Sequence, residues 1–154
     1  MGSKHASLFS EKTVIPRLQA SAKIEVLSEM VDCLVTSGTV TASKREPVLR
    51  ALREREKLGS TGVGGGVAIP HVKLDFLRTS VAAVGVAPQG IDYAAVDGEP
   101  VFIVFMLISP TDKASEHLSA LQWISRMARH RDFIRFMRAS STPAEVLGLF
   151  EELG

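Results

Sequence analysis

Cysteine is nearly absent from this sequence. Cys33 stands alone among 154 residues, so neither an internal disulfide nor a cysteine metal cage can form, and a reducing, cytoplasmic compartment is expected. An excess of either charge is missing too: 18 lysines and arginines meet 17 aspartates and glutamates, a formal net charge of +1. Binding nucleic acid by neutralising phosphates needs a basic excess or stripe, so nucleic acid is not an expected partner. Long hydrophobic runs are also lacking. The longest, Val101 to Ile108, is far too short to span a bilayer, and no membrane insertion is expected. The opening residues Met1-Gly2-Ser3-Lys4-His5 are polar and carry no apolar signal stretch; residues 1–7 read as a flexible or expression-derived end. No repeat and no Pro/Gly/Ser-rich linker divides the chain. What is present is 45% apolar and 23% charged residues. That is enough for the core of one domain over 1–154, and too apolar for a disordered chain.

Helical and strand patterns alternate along this chain. Ile24, Leu27, Val31, Leu34 and Val35 recur at helical spacing after Ser21, a candidate cap, and Gly38 stops the run. Ser43 and Glu46 have capping-box spacing, with Pro47 in the first turn, and predict a second helix that buries Val48, Leu49 and Leu52 and ends at Gly59. Val67-Ala68-Ile69 reads as a short strand closed by Pro70. Val81 to Val86 and Val101 to Ile108 read as strands buried on both faces, with a turn at Asp97-Gly98 between them. A long helix is expected from about Ser115 to Arg129, with Leu118, Leu121, Ile124 and Ala128 inward. Asp132 is a candidate cap for a short helix carrying Phe133, Ile134, Phe136 and Met137, and Thr142-Pro143-Ala144-Glu145 is a strong helix start. Alternation of this kind favours an α/β fold, a sheet covered by helices on both faces.

The most unusual stretch is Gly59-Ser60-Thr61-Gly62-Val63-Gly64-Gly65-Gly66, followed by Val67-Ala68-Ile69-Pro70-His71. Clustered glycines let a backbone take positive φ and turn its N–H groups toward an anion; an ordinary surface turn has the same composition. Gly65 stands where a Walker loop needs lysine, and Val67 where a dinucleotide fingerprint needs its third glycine. His71 leaves this loop at a strand end, where its imidazole could be a covalent phosphoryl carrier, a general base or a metal ligand. His117, near a helix start, would see the positive end of the helix dipole, which favours a neutral ring and a nearby anion; a solvated first-turn residue is the alternative. Arg55 precedes the glycine loop and offers paired donors for phosphate oxygens. Ser60 and Thr61 add hydroxyls. His5 and His130 read as exposed polar residues, and Cys33 as part of an apolar helical stripe. Without a close histidine pair, a cysteine cluster or a His-Glu-x-x-His string, a metal-dependent hydrolase built on His71 and His117 is a weak alternative.

The string from Arg55 through Gly62 to His71, with Asp97-Gly98-Glu99-Pro100-Val101 and Glu116-His117-Leu118, resembles the type-2 enzyme IIA domains. These belong to the bacterial phosphoenolpyruvate-dependent sugar phosphotransferase system, in its fructose, mannitol and nitrogen-regulatory branches. The likeness runs from about Leu8 to Leu153. It implies a mixed β-sheet sandwiched between helices, no cofactor and no metal. It also implies that His71 accepts a phosphoryl group from a phosphocarrier of the HPr type and passes it to a IIB domain, in sugar uptake. In the nitrogen-type alternative, the phosphorylation state of His71 controls binding to regulatory protein partners. By position, His71 would be the nucleophile, acting through Nε2 while a backbone acceptor holds Nδ1–H. His117 would be the second active-site histidine and Arg55 the stabilising arginine, with Ser60, Thr61 and Gly62 binding phosphate. An apolar rim would surround His71 to suit transient docking. The sequence departs from the family at Gly65, where members often carry Asn or His; backbone cradling survives this but a side-chain donor is lost.

Overall fold

The computed structural model describes residues 4–154. Its centre is strand β6, and the reason lies in the alternation of its side chains. In order, the elements are β1 (Val14–Ile15), α1 (Lys23–Thr36), α2 (Arg45–Lys57), β2 (Gly62–Gly64), β3 (Val67–Ala68), β4 (His71–Leu74), β5 (Val81–Ile91), β6 (Val101–Pro110), α3 (Ala114–Ala128), α4 (Phe133–Ala139) and α5 (Pro143–Leu153). Successive strand residues face opposite ways. Accordingly Val104, Met106 and Ile108 pack with α1 and α2, while Ile103, Phe105 and Leu107 pack with Trp123, Ile124, Phe133 and Phe150 of α3, α4 and α5. Two separate cores thus lie on the two faces of one mixed sheet, the arrangement expected from the alternating pattern.

The sheet order is β1-β5-β6-β3-β2, and β4 also pairs with β6. Strand β5 runs antiparallel to β6, whereas β3 and β4 run parallel to it along its other side. Pro70 interrupts that side, because it has no N–H to give, yet its carbonyl accepts from the Leu107 N–H at 3.0 Å. Pairing then resumes with His71 opposite Leu107. The expected strand end at Pro70 is therefore real, but His71 opens a further strand that local pattern did not reveal. Strand β5 also runs past its expected end at Val86, through an irregularity, to Ile91.

The helix starts follow their local signals less closely than the strands do. Thr142 caps α5 as expected, its hydroxyl accepting from the Glu145 N–H. Ser21 does not cap α1; the capping position is Ala22, which has no side-chain bond. Ser43 does not cap α2 either, because the helix is entered through a 3-10 turn at Ala42–Lys44, and Glu46 pairs with Arg45 instead. Asp132 occupies its expected position, but its carboxylate takes Arg135 and not the backbone. A capping side chain needs an extended backbone beneath it, and Asp132 sits at φ −103°, ψ 0°.

Other expectations are corrected by burial. Ile24 and Leu118 are exposed, and the inward positions of α3 are His117, Ala120, Trp123, Ile124 and Met127. Cys33 is half-buried, its thiol donating to the Lys12 carbonyl, so it is not a core residue. His5 is half-buried, not exposed, with Nε2 3.0 Å from Ser119 Oγ. Of the end set apart at residues 1–7, Lys4–Leu8 forms a 3-10 helix with Ala6 buried, and Met1–Ser3 lie outside the described residues. Among the described residues no helix is long and apolar enough to cross a membrane.

Candidate active site

The two helical layers meet at the open side of β4, and the gap between them is a cleft of about 650 Å³. Ala51 and Arg55 come from α2, His71, Val72 and Lys73 from β4, and Ala114, His117, Leu118 and Leu121 from α3. Three residues far apart in the chain, Arg55, His71 and His117, thus share one cavity. The two imidazoles lie with ring centroids 5.6 Å apart and tilted by 46°.

The Nδ1 of His71 lies 2.6 Å from the Ile69 carbonyl oxygen. A carbonyl can only accept, so this contact requires the proton on Nδ1 and leaves the Nε2 lone pair free. Strand alternation leaves this carbonyl free for the ring: the Gly66 and Pro70 carbonyls accept from Ile103 and Leu107 of β6, so the Ile69 carbonyl points away from it. A neutral imidazole held in this tautomer is a nucleophile at Nε2.

His117 is buried, unlike a solvated first-turn residue, and its Nδ1 lies 2.7 Å from the Ser109 hydroxyl. Burial, the His71 ring and the Lys73 ammonium together lower its pKa to about 4. The ring is therefore neutral at physiological pH. The unfolded chain titrates His117 near 6.5, so between about pH 6.5 and about pH 4 the unfolded state holds the additional proton. Stability falls as pH drops through that window and is independent of this group above it. The loss from His117 is on the order of 3 kcal/mol when complete. Denaturant midpoints measured from about pH 7 to about pH 4 should fall more steeply for the wild type than for His117→Gln; equal slopes would remove His117 as a source of acid lability.

Arg55 is half-buried in the last turn of α2, and one guanidinium nitrogen donates to the Gly59 carbonyl at 2.9 Å. That bond ties the helix end to the start of the glycine loop and leaves the other donors of the fork available to the cleft. Leu118, Leu121, Val72 and Ala51 supply the apolar rim. Sequence reasoning missed Lys73, a further cation on the cleft wall. Its only local signal was its place two residues after His71, on the same strand face.

The structure keeps Ser60, Thr61 and Gly62 off the walls of this cleft. The Ser60 hydroxyl accepts from the Gly62 N–H at 3.0 Å. Thr61 is buried, and its N–H and hydroxyl both donate to the Glu56 carboxylate. A Cβ on Gly62 would stand 2.8 Å from the Cβ of Ala95, so close packing accounts for that glycine. The next glycines, Gly64, Gly65 and Gly66, have φ of +96°, +67° and +85° and form the tight connection from β2 to β3. The Gly65 N–H donates to the Asp97 carboxylate at 3.1 Å and not into the cleft. Together with the Glu99 N–H, it holds that carboxyl below its ordinary value. The glycine loop is fastened to the Asp97 turn and does not face the cleft. The weak alternative of a metal-dependent hydrolase gains no ligand set, since among the described residues no three His, Cys, Asp or Glu side chains converge.

Comparison with known proteins assigns the family. Residues 7–153 match the family described as "Phosphoenolpyruvate-dependent sugar phosphotransferase system, EIIA 2", and the chain belongs to that family. It is 35% identical over 133 residues to a nitrogen regulatory protein of Bradyrhizobium diazoefficiens, covering 86% of this chain and 85% of that one. It is 27% identical over 149 residues to the fructose-specific EIIABC component of Bacillus subtilis, covering 97% of this chain but 23% of that protein. Among solved structures, the nitrogen regulatory protein IIA-Ntr of Neisseria meningitidis superposes with a TM-score of 0.83 at 25% identity, over 96% of this chain and 99% of that one.

Proposed function

We propose that His71 takes a phosphoryl group on Nε2 from a phosphocarrier of the HPr type, and that the modified and unmodified forms bind different protein partners. The observation that carries this reading is the Ile69 carbonyl on Nδ1, 2.6 Å away, which leaves the opposite ring nitrogen as the nucleophile facing the His117 cleft. With an N–H retained on the far nitrogen of each ring, the step moves only the phosphoryl group. The phosphorus–nitrogen bond to Nε2 forms as the bond to the donor imidazole breaks, and the donor ring leaves neutral with its electron pair. The Ile69 carbonyl then faces a positively charged phosphohistidine ring. Arg55 and a neutral His117 meet the charge spreading over the phosphoryl oxygens.

The nitrogen-type reading takes precedence over sugar uptake, which the sequence had placed first, because the similarity to the Bradyrhizobium protein and the fit to the Neisseria structure both favour it. Phosphorylation places an anionic phosphoryl group, with three strong acceptor oxygens, at the mouth of a largely apolar cleft, a change large enough to exchange partners. Transfer to a IIB domain in fructose-type uptake is the second reading, favoured by the match to the Bacillus component. Co-purification with phosphorylated and unphosphorylated protein, alongside a screen of IIB acceptors, separates the two. The regulatory reading expects partner binding to change at least about tenfold with phosphorylation and no IIB domain to discharge the protein. Rapid discharge to a IIB domain with no phosphorylation-dependent partner would reverse the order.

A further inference from the structure

The odd-numbered face of β6 reads Ile103, Phe105, Leu107, Ser109, so one polar residue closes an otherwise apolar stripe beneath α3. Ser109 is fully buried. Its hydroxyl has two neighbours: Ser80, whose hydroxyl donates to it at 3.1 Å, and Nδ1 of His117 at 2.7 Å. The pairing of Val81 with Ile108 continues naturally to Ser80 opposite Ser109, so the sheet register itself aligns the two hydroxyls. Ser80 is only half-buried and lines a separate cavity of about 400 Å³ with Thr79, Lys113 and Glu116.

A hydroxyl has one proton to give. Because Ser109 accepts from Ser80, its own proton is free for His117. Were Nδ1 of His117 the donor instead, Ser109 would accept from both neighbours, and its buried proton could be paired only by reversing the Ser80 hydroxyl. We propose that the Ser80–Ser109 hydroxyl pair is a positioning device that fixes His117 in the Nε2–H tautomer, so that it presents a donor to the phosphoryl group. This inference rests on the phosphoryl-acceptor reading of the cleft. The two cleft histidines then hold complementary tautomers: His71 keeps its proton away from the cleft as nucleophile, and His117 keeps its proton toward the cleft as donor. A hydrogen bond given to the neutral ring also opposes its protonation, in the same direction as burial, the His71 ring and the Lys73 ammonium of β4; Arg55 of α2 lines the same cleft.

The test is proton–nitrogen correlation spectroscopy of unphosphorylated, partner-free protein with isotope-labelled histidine, comparing wild type, Ser109→Ala and Ser80→Ala. In the wild type His117 is expected to carry its proton on Nε2 alone at neutral pH. In Ser109→Ala the ring should become a mixture of tautomers and its titration midpoint should rise; Ser80→Ala should shift both in the same direction by less. Phosphoryl transfer to His71 should slow about tenfold in Ser109→Ala, the lower end of the loss seen when an outer-shell partner that orients a functional histidine is removed. A wild-type His117 protonated on Nδ1, or an unchanged His117 spectrum in the serine variants, overturns the proposal. Should Ser109→Ala fail to fold, the half-buried Ser80→Ala decides on the same spectra. Because these spectra need no phosphate donor, absence of transfer in the wild type would refute the acceptor reading alone.

Discussion

His71→Ala is expected to bring phosphoryl acceptance from phospho-HPr down to background, a loss of more than about 10³-fold, as for removal of a covalent nucleophile. The fold should survive. His71 is half-exposed on an edge strand, and its one side-chain bond is to the Ile69 carbonyl, so the stability cost is about 1 kcal/mol. Radiolabel transfer measured beside a denaturant melt checks both parts. In the proposed mechanism Arg55 and His117 meet the phosphoryl oxygens and neither is the nucleophile, so Arg55→Ala and His117→Ala should each slow transfer by about 10²–10³-fold and leave slow acceptance on His71. Full labelling of folded His71→Ala would place the nucleophile elsewhere and end the proposed mechanism.

Glu56→Ala is expected to destabilise the protein by about 3–5 kcal/mol, the scale seen when one partner of a buried charge pair is removed. The Glu56 carboxylate is buried between α2 and the loop that follows it. One oxygen accepts from the Thr61 N–H at 3.1 Å and lies 3.2 Å from Lys23 Nζ; the other accepts from the Thr61 and Tyr93 hydroxyls. Lys23 also stands over the Tyr93 ring at 5.1 Å. Burial and the adjacent carboxylate push the Tyr93 phenol well above its ordinary value. Alanine at position 56 would strand the Lys23 ammonium, two hydroxyls and a backbone N–H together. A denaturant melt measures the cost, and a loss below about 1 kcal/mol would mean that water replaces the carboxylate freely. The neighbouring positions give a contrast: Thr61→Val should cost stability while leaving the acceptance rate of folded protein near wild type, because its hydroxyl serves Glu56 and not the cleft.

The family string ran unbroken through these two systems and gave no sign that they were separate. From Arg55 to His71 the residues look like one phosphate loop, yet the chain divides them by function. Arg55 and His71 border the cleft, Glu56 and Thr61 form a buried clasp, and Gly65 is held by Asp97. On a helix, Arg55 and Glu56 are adjacent in sequence but point about 100° apart, so one reaches the cleft and the other the interior. The phase of α3 was misread for a related reason. The apolar spacing alone favours Leu118 inward, whereas packing over β6 turns His117 in and leaves Leu118 on the rim.

By itself the sequence determined what depends on near neighbours: the apolar alternation of β6, the Thr142 cap, the break at Pro70 and the chemical character of an imidazole beside it. Each arises from forces acting over a few residues. Only the tertiary structure decided which side chains converge, because Arg55, His71 and His117 meet through the register of β4 on β6 and the packing of helices on opposite faces of the sheet. It also supplied the carbonyl, 2.6 Å from Nδ1 of His71, that leaves the other ring nitrogen free. Hydrogen bonds act over that distance, and no spacing along the chain reports it.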